Sequence, residues 1–327
     1  MRDQYAGDIS DLLKIALLRH LAGSDLKLGV HWYYNTSEKD REEDGRHLEY
    51  RREEKWRTLD DELWQSLCKL NEQKVAALEQ LQIWPQGTVF FREPIPGNVE
   101  RSNWADRAKQ ALNDAAILFL DPDNGLGRRG KKHATLEELQ GLNQPNRTLV
   151  VIKFPARRDY QEQLSEYHAR ILESDGFFSA LTMQISVHIK TKSRIGRSIT
   201  VPRIRWFTII NASSEIQQKA KAFSQKIAKI EGCRAEISTV QRGDFHMVKP
   251  GKPEPANTDR RANKVCPVPE CDHIFTGKGW GGIDGHWKSN HLSVMSYEDA
   301  WPLIKSGKYP RQTDKELRIE TQARTIE

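Results

Sequence analysis

The chain has 327 residues, 37% hydrophobic and 29% charged, and its 51 Lys+Arg against 45 Asp+Glu give a net charge of +6. That composition suits one large domain or two smaller ones and excludes a disordered tail. No run of eighteen apolar residues is present, so a membrane partner is not expected. The start Met1-Arg2-Asp3-Gln4 reads against a secretory signal.

Apolar residues at three- and four-residue spacing, Ile9, Leu12, Leu13, Ala16, Leu17 and Leu21, predict an opening helix, with Asp8 or Ser10 as its cap. Residues 26–34 read as a strand and 35–55 as a polar, charge-dense loop. Helices are predicted at 58–70, 71–82 and 101–114, with a short strand at 88–91. The run Ala115-Ala116-Ile117-Leu118-Phe119-Leu120 is continuously apolar, the pattern of a strand buried on both faces. It ends in the turn Asp121-Pro122-Asp123-Asn124-Gly125. A second buried strand is predicted at 149–154, helices at 134–142 and 158–174, strands at 181–190 and 203–211, and a helix at 213–230.

Strands alternating with helices imply an α/β fold with a doubly wound, mostly parallel sheet over residues 1–243, the late strand pair forming an antiparallel edge. Lys249-Pro250-Gly251-Lys252-Pro253-Glu254-Pro255 marks a Pro/Gly-rich linker over 244–262. A small module with a C-terminal tail occupies 263–327.

Four cysteines in a chain this long argue against a disulfide scaffold and for a reducing, cytoplasmic setting, and Cys68 and Cys233 are isolated. The other two belong to Cys266-x4-Cys271-x14-His286-x4-His291, a ligand spacing suited to tetrahedral structural Zn2+. Phe275 and Ile283 fall where a ββα unit needs its core. The segment resembles the C2H2 zinc-finger family, with a wider cysteine spacing and a Gly-rich centre. That resemblance implies a nucleic-acid or a protein partner.

In open α/β sheets ligands bind at the carboxyl ends of strands, where Asp121, Asp123 and Asn124 are expected as catalytic residues. The run Leu118-Phe119-Leu120-Asp121-Pro122-Asp123-Asn124 resembles the [DN]-P-P-[YFW] motif of amino-methyltransferases on the class I Rossmann-like, methyltransferase-like fold. Tyr5-Ala6-Gly7-Asp8-x2-Asp11-x2-Lys14 is similar to the first motif of the large-subunit ribosomal RNA adenine-N6 methyltransferases. The two together also resemble a group of uncharacterised bacterial proteins with a Leu-Asp-Pro-Asp-Asn-Gly-Leu turn. These resemblances imply a nucleic-acid-acting enzyme in which Asp8, Asp11 and Lys14 flank a cofactor or substrate. Asp123 and Asn124 replace the motif's proline and aromatic. The first strand meets no glycine until Gly45, which counts against S-adenosylmethionine. A metal-dependent nuclease with Mg2+ on Asp121 and Asp123 is the alternative, and a non-catalytic binding module on a degenerate fold is another.

Basic segments follow the strand ends. Arg128, Arg129, Lys131 and Lys132, then Arg194, Arg197, Arg203 and Arg205, are expected to form a phosphate-binding rim for DNA or RNA, joined by Lys278 and Lys288 of the finger. His31 and His47 are expected to border the same cleft.

Overall fold

The structure is a computed structural model, and it describes residues 1–36, 47–97, 99–127, 130, 132–156, 159–192, 198–244, 264–268, 271, 273–275, 282–306 and 309. The chain divides into two compact units, Met1–Val248 and Lys249–Glu327.

The first unit runs α1 (Ile9–Ala22), β1 (Leu28–His31), α2 (Asp61–Cys68), α3 (Val75–Glu79), β2 (Val89–Phe91), α4 (Arg101–Ala111) and β3 (Ile117–Leu120). It continues through α5 (Leu136–Leu142), β4 (Thr148–Lys153), α6 (Tyr160–Leu172), β5 (Ser179–Lys192), β6 (Ser198–Ile210), α7 (Ser214–Ala228) and β7 (Cys233–Gln241). The sheet order is β2-β1-β3-β4-β6-β5-β7. Strands β1 to β4 pair in parallel, and β6 is antiparallel to both β4 and β5. Five strands therefore run one way and β6 and β7 the other.

Alternation within the apolar strands sends side chains to opposite faces. Ile117, Phe119, Val150 and Ile152 join one core with residues of α1, α2, α3 and α7. Leu118, Leu120, Leu149 and Val151 join a second core with α4, α5 and α6. The sheet is thus covered on both faces, as a doubly wound α/β fold requires.

Three expectations need correction. The first strand is shorter than 26–34, because Tyr33 takes a left-handed backbone (φ 46°) that breaks the extended run. The late hairpin is longer than expected, its arms reaching Lys192 and Ser198, so most of the basic 190–205 stretch is strand and not loop. Strand β7 was not anticipated.

The second unit holds the short antiparallel pair β8 (Lys264–Val265) and β9 (Ile274–Phe275), then α8 (Ile283–Asn290) and α9 (Tyr297–Ser306). Its own core gathers Phe275, Ile283, Trp287, Ala300 and Ile304. The 244–262 linker lies outside the described residues beyond Asp244. Among the described residues no helix is long and apolar enough to cross a membrane.

Candidate functional site

The site begins at the first turn of α1. Asp8 caps the helix, its carboxylate accepting from the amides of Ser10 (2.7 Å) and Asp11 (3.1 Å). Gly7 donates its amide to Asp11 Oδ2 at 2.7 Å. Lys14, one turn further on, reaches Asp11 Oδ1 at 3.0 Å and Asp121 Oδ2 at 2.9 Å. Asp121 stands directly after β3, its amide extending the ladder to the His31 carbonyl. Two motifs 107 residues apart thus meet as one buried ion-paired cluster.

Burial raises the Asp121 carboxyl above the usual range, and Lys14 partly opposes it. Asp8 and Asp11 are raised by burial too. Burial alone would lower the Lys14 ammonium. Asp11, Asp121 and Asp8 together outweigh that and hold it above the usual lysine range.

These groups open onto a cleft of about 380 Å³ at the carboxyl ends of β3 and β4, where Asp8, Lys14, Asp121, Asp123, Asn124 and Lys132 converge. Arg203 and Arg205 come from β6, and Ser10, His47, Phe154 and Tyr160 are also exposed to the cleft. The volume falls within the range of small-molecule sites. Asp123 Oδ1 lies 3.0 Å from the Met1 nitrogen, which donates to the carbonyls of Tyr33 and Asp121. Arg205 is 3% exposed and donates from Nε to Ser10 Oγ at 2.8 Å.

The turn is held from both sides. At Gly125 (φ 78°) an added Cβ would fall 2.7 Å from Lys153 Cβ, so only glycine lets the turn lie against the end of β4. Beyond it, the buried Arg101 guanidinium forms a bidentate pair with Glu138 and also donates to the His133 carbonyl. Tyr33 Oη completes the network on Glu138 Oε2.

Asp121, Asp123, Asn124, Asp8, Lys14, Lys132, Arg203 and Arg205 therefore share one cleft, while Asp11 lies fully buried behind them. His47 lines the cleft. His31 does not: it is buried against Tyr33, Phe91 and Trp104, so its expected place at the border is corrected. Arg128, Arg129, Lys131, Arg194, Arg197 and Lys278 lie outside the described residues. Lys288 is exposed on α8 of the second unit. Sequence reasoning missed Ser10 as a cleft residue, and it missed Phe154 and Tyr160. Phe154 was counted into its strand, although an apolar ring beside Pro155 at a strand end was the available signal.

In the second unit, Cys266, Cys271, His286 and His291 place one ligand atom each within 4.8 Å of one another. Among the described residues this is the group of three or more such side chains able to share a metal ion. Cys266 Sγ lies 3.5 Å from His291 Nε2 and Cys271 Sγ 3.4 Å from His286 Nε2, with 3.2 Å between the two nitrogens. A tetrahedron with metal–sulfur bonds of ~2.3 Å and metal–nitrogen bonds of ~2.0 Å has edges of roughly 3.5 and 3.3 Å, so the donors fit one ion. Asn290 Nδ2 lies 3.2 Å from His286 Nδ1, on the ring nitrogen away from the metal side.

No family model matches the chain, and no curated protein matches it. Among solved structures it is similar to protein LPL1258 of Legionella pneumophila, described as DUF519, at 13% identity and TM-score 0.37, over 72% of this chain and 98% of that one. Precorrin 8w decarboxylase of Methanobacterium thermoautotrophicum follows at 12% and 0.30, over 62% of this chain and 90% of that one. A SAM-dependent methyltransferase of Agrobacterium tumefaciens stands at 13% and 0.29, over 62% of each chain. Likeness this slight carries no argument about reaction or ligand, and the α/β class rests on the sheet itself.

Proposed function

We propose that this chain acts on nucleic acid. Its α/β unit serves as a methyltransferase-like domain that engages a base in the Asp121 cleft. Its Cys/His module, holding structural zinc, aids substrate engagement. The observation that carries this reading is the 2.9 Å pair between Lys14 and Asp121. It joins the opening motif, similar to that of ribosomal RNA adenine-N6 methyltransferases, to the turn that resembles the amino-methyltransferase motif, at a strand end where α/β enzymes bind ligands. Asp121 and Asn124 supply acceptors and an amide donor for an amino-bearing base, and Arg203, Arg205 and Lys132 supply positive charge for phosphate.

The methyl donor S-adenosylmethionine is a separate matter. The chain after β1 carries no glycine there, is filled by the buried rings of Trp32 and Tyr33, and spends the Tyr33 carbonyl on the Met1 nitrogen. Those residues do not fit the donor's glycine-rich cradle, and no methyl-transfer step is derived. The nuclease alternative gains no support, because Asp121 is ion-paired to Lys14, and Asp123 lies 3.0 Å from the Met1 nitrogen and 3.5 Å from Arg2 Nε.

Binding of single-stranded RNA and DNA to the full chain tests the reading, together with nucleoside mass spectrometry of treated nucleic acid with and without S-adenosylmethionine. Affinity should fall steeply between 50 and 200 mM salt, by ~10-fold or more for several phosphate contacts. An Arg203→Glu, Arg205→Glu double variant should weaken all sequences alike. Absence of both binding and base modification sinks the proposal.

A further inference from the structure

The charges of the cleft do not account for one of its walls. Its floor is carboxylate and ammonium, yet Phe154 presents its ring there, 39% exposed. Among the described residues it is the one exposed large apolar side chain that lines this cleft. An apolar ring left half in water beside buried charges is unfavourable until a ligand covers it. Pro155 and Tyr160, the first residue of α6, line the same cleft.

The sheet register brings a cation to this ring. Strands β4 and β6 pair as far as Lys153 and Trp206, so Phe154 leaves the ladder beside Arg205. Arg203 follows two residues along β6, and its Nε is buried with no hydrogen-bond partner. Arg203 and Arg205 both line the cleft, and two guanidinium groups in one corner suit an anion. The Asp121–Asn124 turn completes the corner with an acceptor and an amide.

We propose that this corner is a nucleotide subsite in which Phe154 stacks on an amino-bearing base, with Tyr160 lining the same cleft, and Arg203 and Arg205 hold the phosphate. The inference rests on the nucleic-acid reading and names what that reading leaves open, the residue that grips the base. Each element matches one part of a nucleotide: the rings its flat face, the guanidinium groups its phosphate, Asp121 and Asn124 its amino edge.

The test compares full-length protein on a fluorescent single-stranded oligoadenylate and on an abasic oligomer of the same length and charge. Wild type should bind the adenylate about tenfold more tightly, the contribution of one good stacking contact. Phe154→Ala should erase that preference while leaving abasic binding and the melting temperature unchanged, since the ring is half exposed. Phe154→Trp should restore it. Arg203→Gln should weaken both oligomers by the same factor. Equal binding of the two oligomers by wild type, or an undiminished adenylate preference in Phe154→Ala, overturns the stacking role and leaves nucleic-acid binding standing. Failure of wild type to bind either oligomer overturns both readings.

Discussion

Asp121 is held by a neighbour that is itself held twice. Lys14 contacts Asp11 at 3.0 Å and Asp121 at 2.9 Å, with all three side chains no more than 5% exposed. The two partners therefore respond differently to mutation. Lys14→Met leaves two buried carboxylates without their cation. Breaking a buried pair in that way costs about 3–5 kcal/mol, or roughly 6–20 °C in melting temperature for a unit of this size at 2–4 °C per kcal/mol. Asp121→Asn keeps the volume, and Lys14 keeps Asp11, so the loss should stay near 1 kcal/mol. Thermal melts of the two variants check the asymmetry, and equal losses would show that Asp11 does not share the ammonium. If the cleft acts on a base, Asp121→Asn also abolishes modification at nearly unchanged stability. This residue-scale part of the site was legible in the sequence as two motifs. Their meeting was not, because spacing within each motif says nothing about contact across 107 residues.

Among the elements, those with an unambiguous apolar pattern were legible. Continuous apolar runs identified β3 and β4, and Asp8 before Ile9 identified the start of α1. Strand β7 was missed because its alternation, Cys233, Ala235 and Ile237 against Arg234, Glu236 and Ser238, leaves every residue partly exposed at a sheet edge. The hairpin arms were read as 181–190 and 203–211, short of Lys192 and Ser198, because a stretch rich in lysine and arginine looks like loop when only composition is read. The turn after β3 was recognised from Asp, Pro and Gly, and the structure adds the reason for Gly125. Its φ of 78° and the 2.7 Å approach to Lys153 Cβ leave no place for a side chain. Gly125→Ala should therefore cost about 1–3 kcal/mol and displace Asn124, whose amide is bonded to the Lys132 carbonyl at 2.8 Å. A lowered melting temperature together with weakened oligonucleotide binding is expected. A variant as stable as wild type would mean the turn relaxes freely and is not fixed by β4.

At the scale of the whole chain, the two units differ in what makes them stable. The first has two apolar cores on either side of a seven-stranded sheet, the burial that drives a large domain to fold. Among its described residues the second gathers eight buried side chains, Trp287 the largest, a small core of the kind that gains from a staple. Its four ligand atoms supply that staple when a metal joins them, since binding energy at a structural site is folding energy. The chain divides into two compact units, so its unfolding should not be two-state. Calorimetry should resolve two transitions, and metal analysis should find one zinc per chain. Removing the metal with a chelator, or replacing Cys271 by Ser, should abolish the second unit's transition and leave that of the first within about 1 °C, because mass action on the metal reaches only the unit that binds it. Readdition of zinc should restore the transition in the chelated wild type and not in Cys271→Ser. A chelator that left both transitions in place would show that the Cys/His cluster holds no structural ion. One that collapsed both would show that the units fold as one.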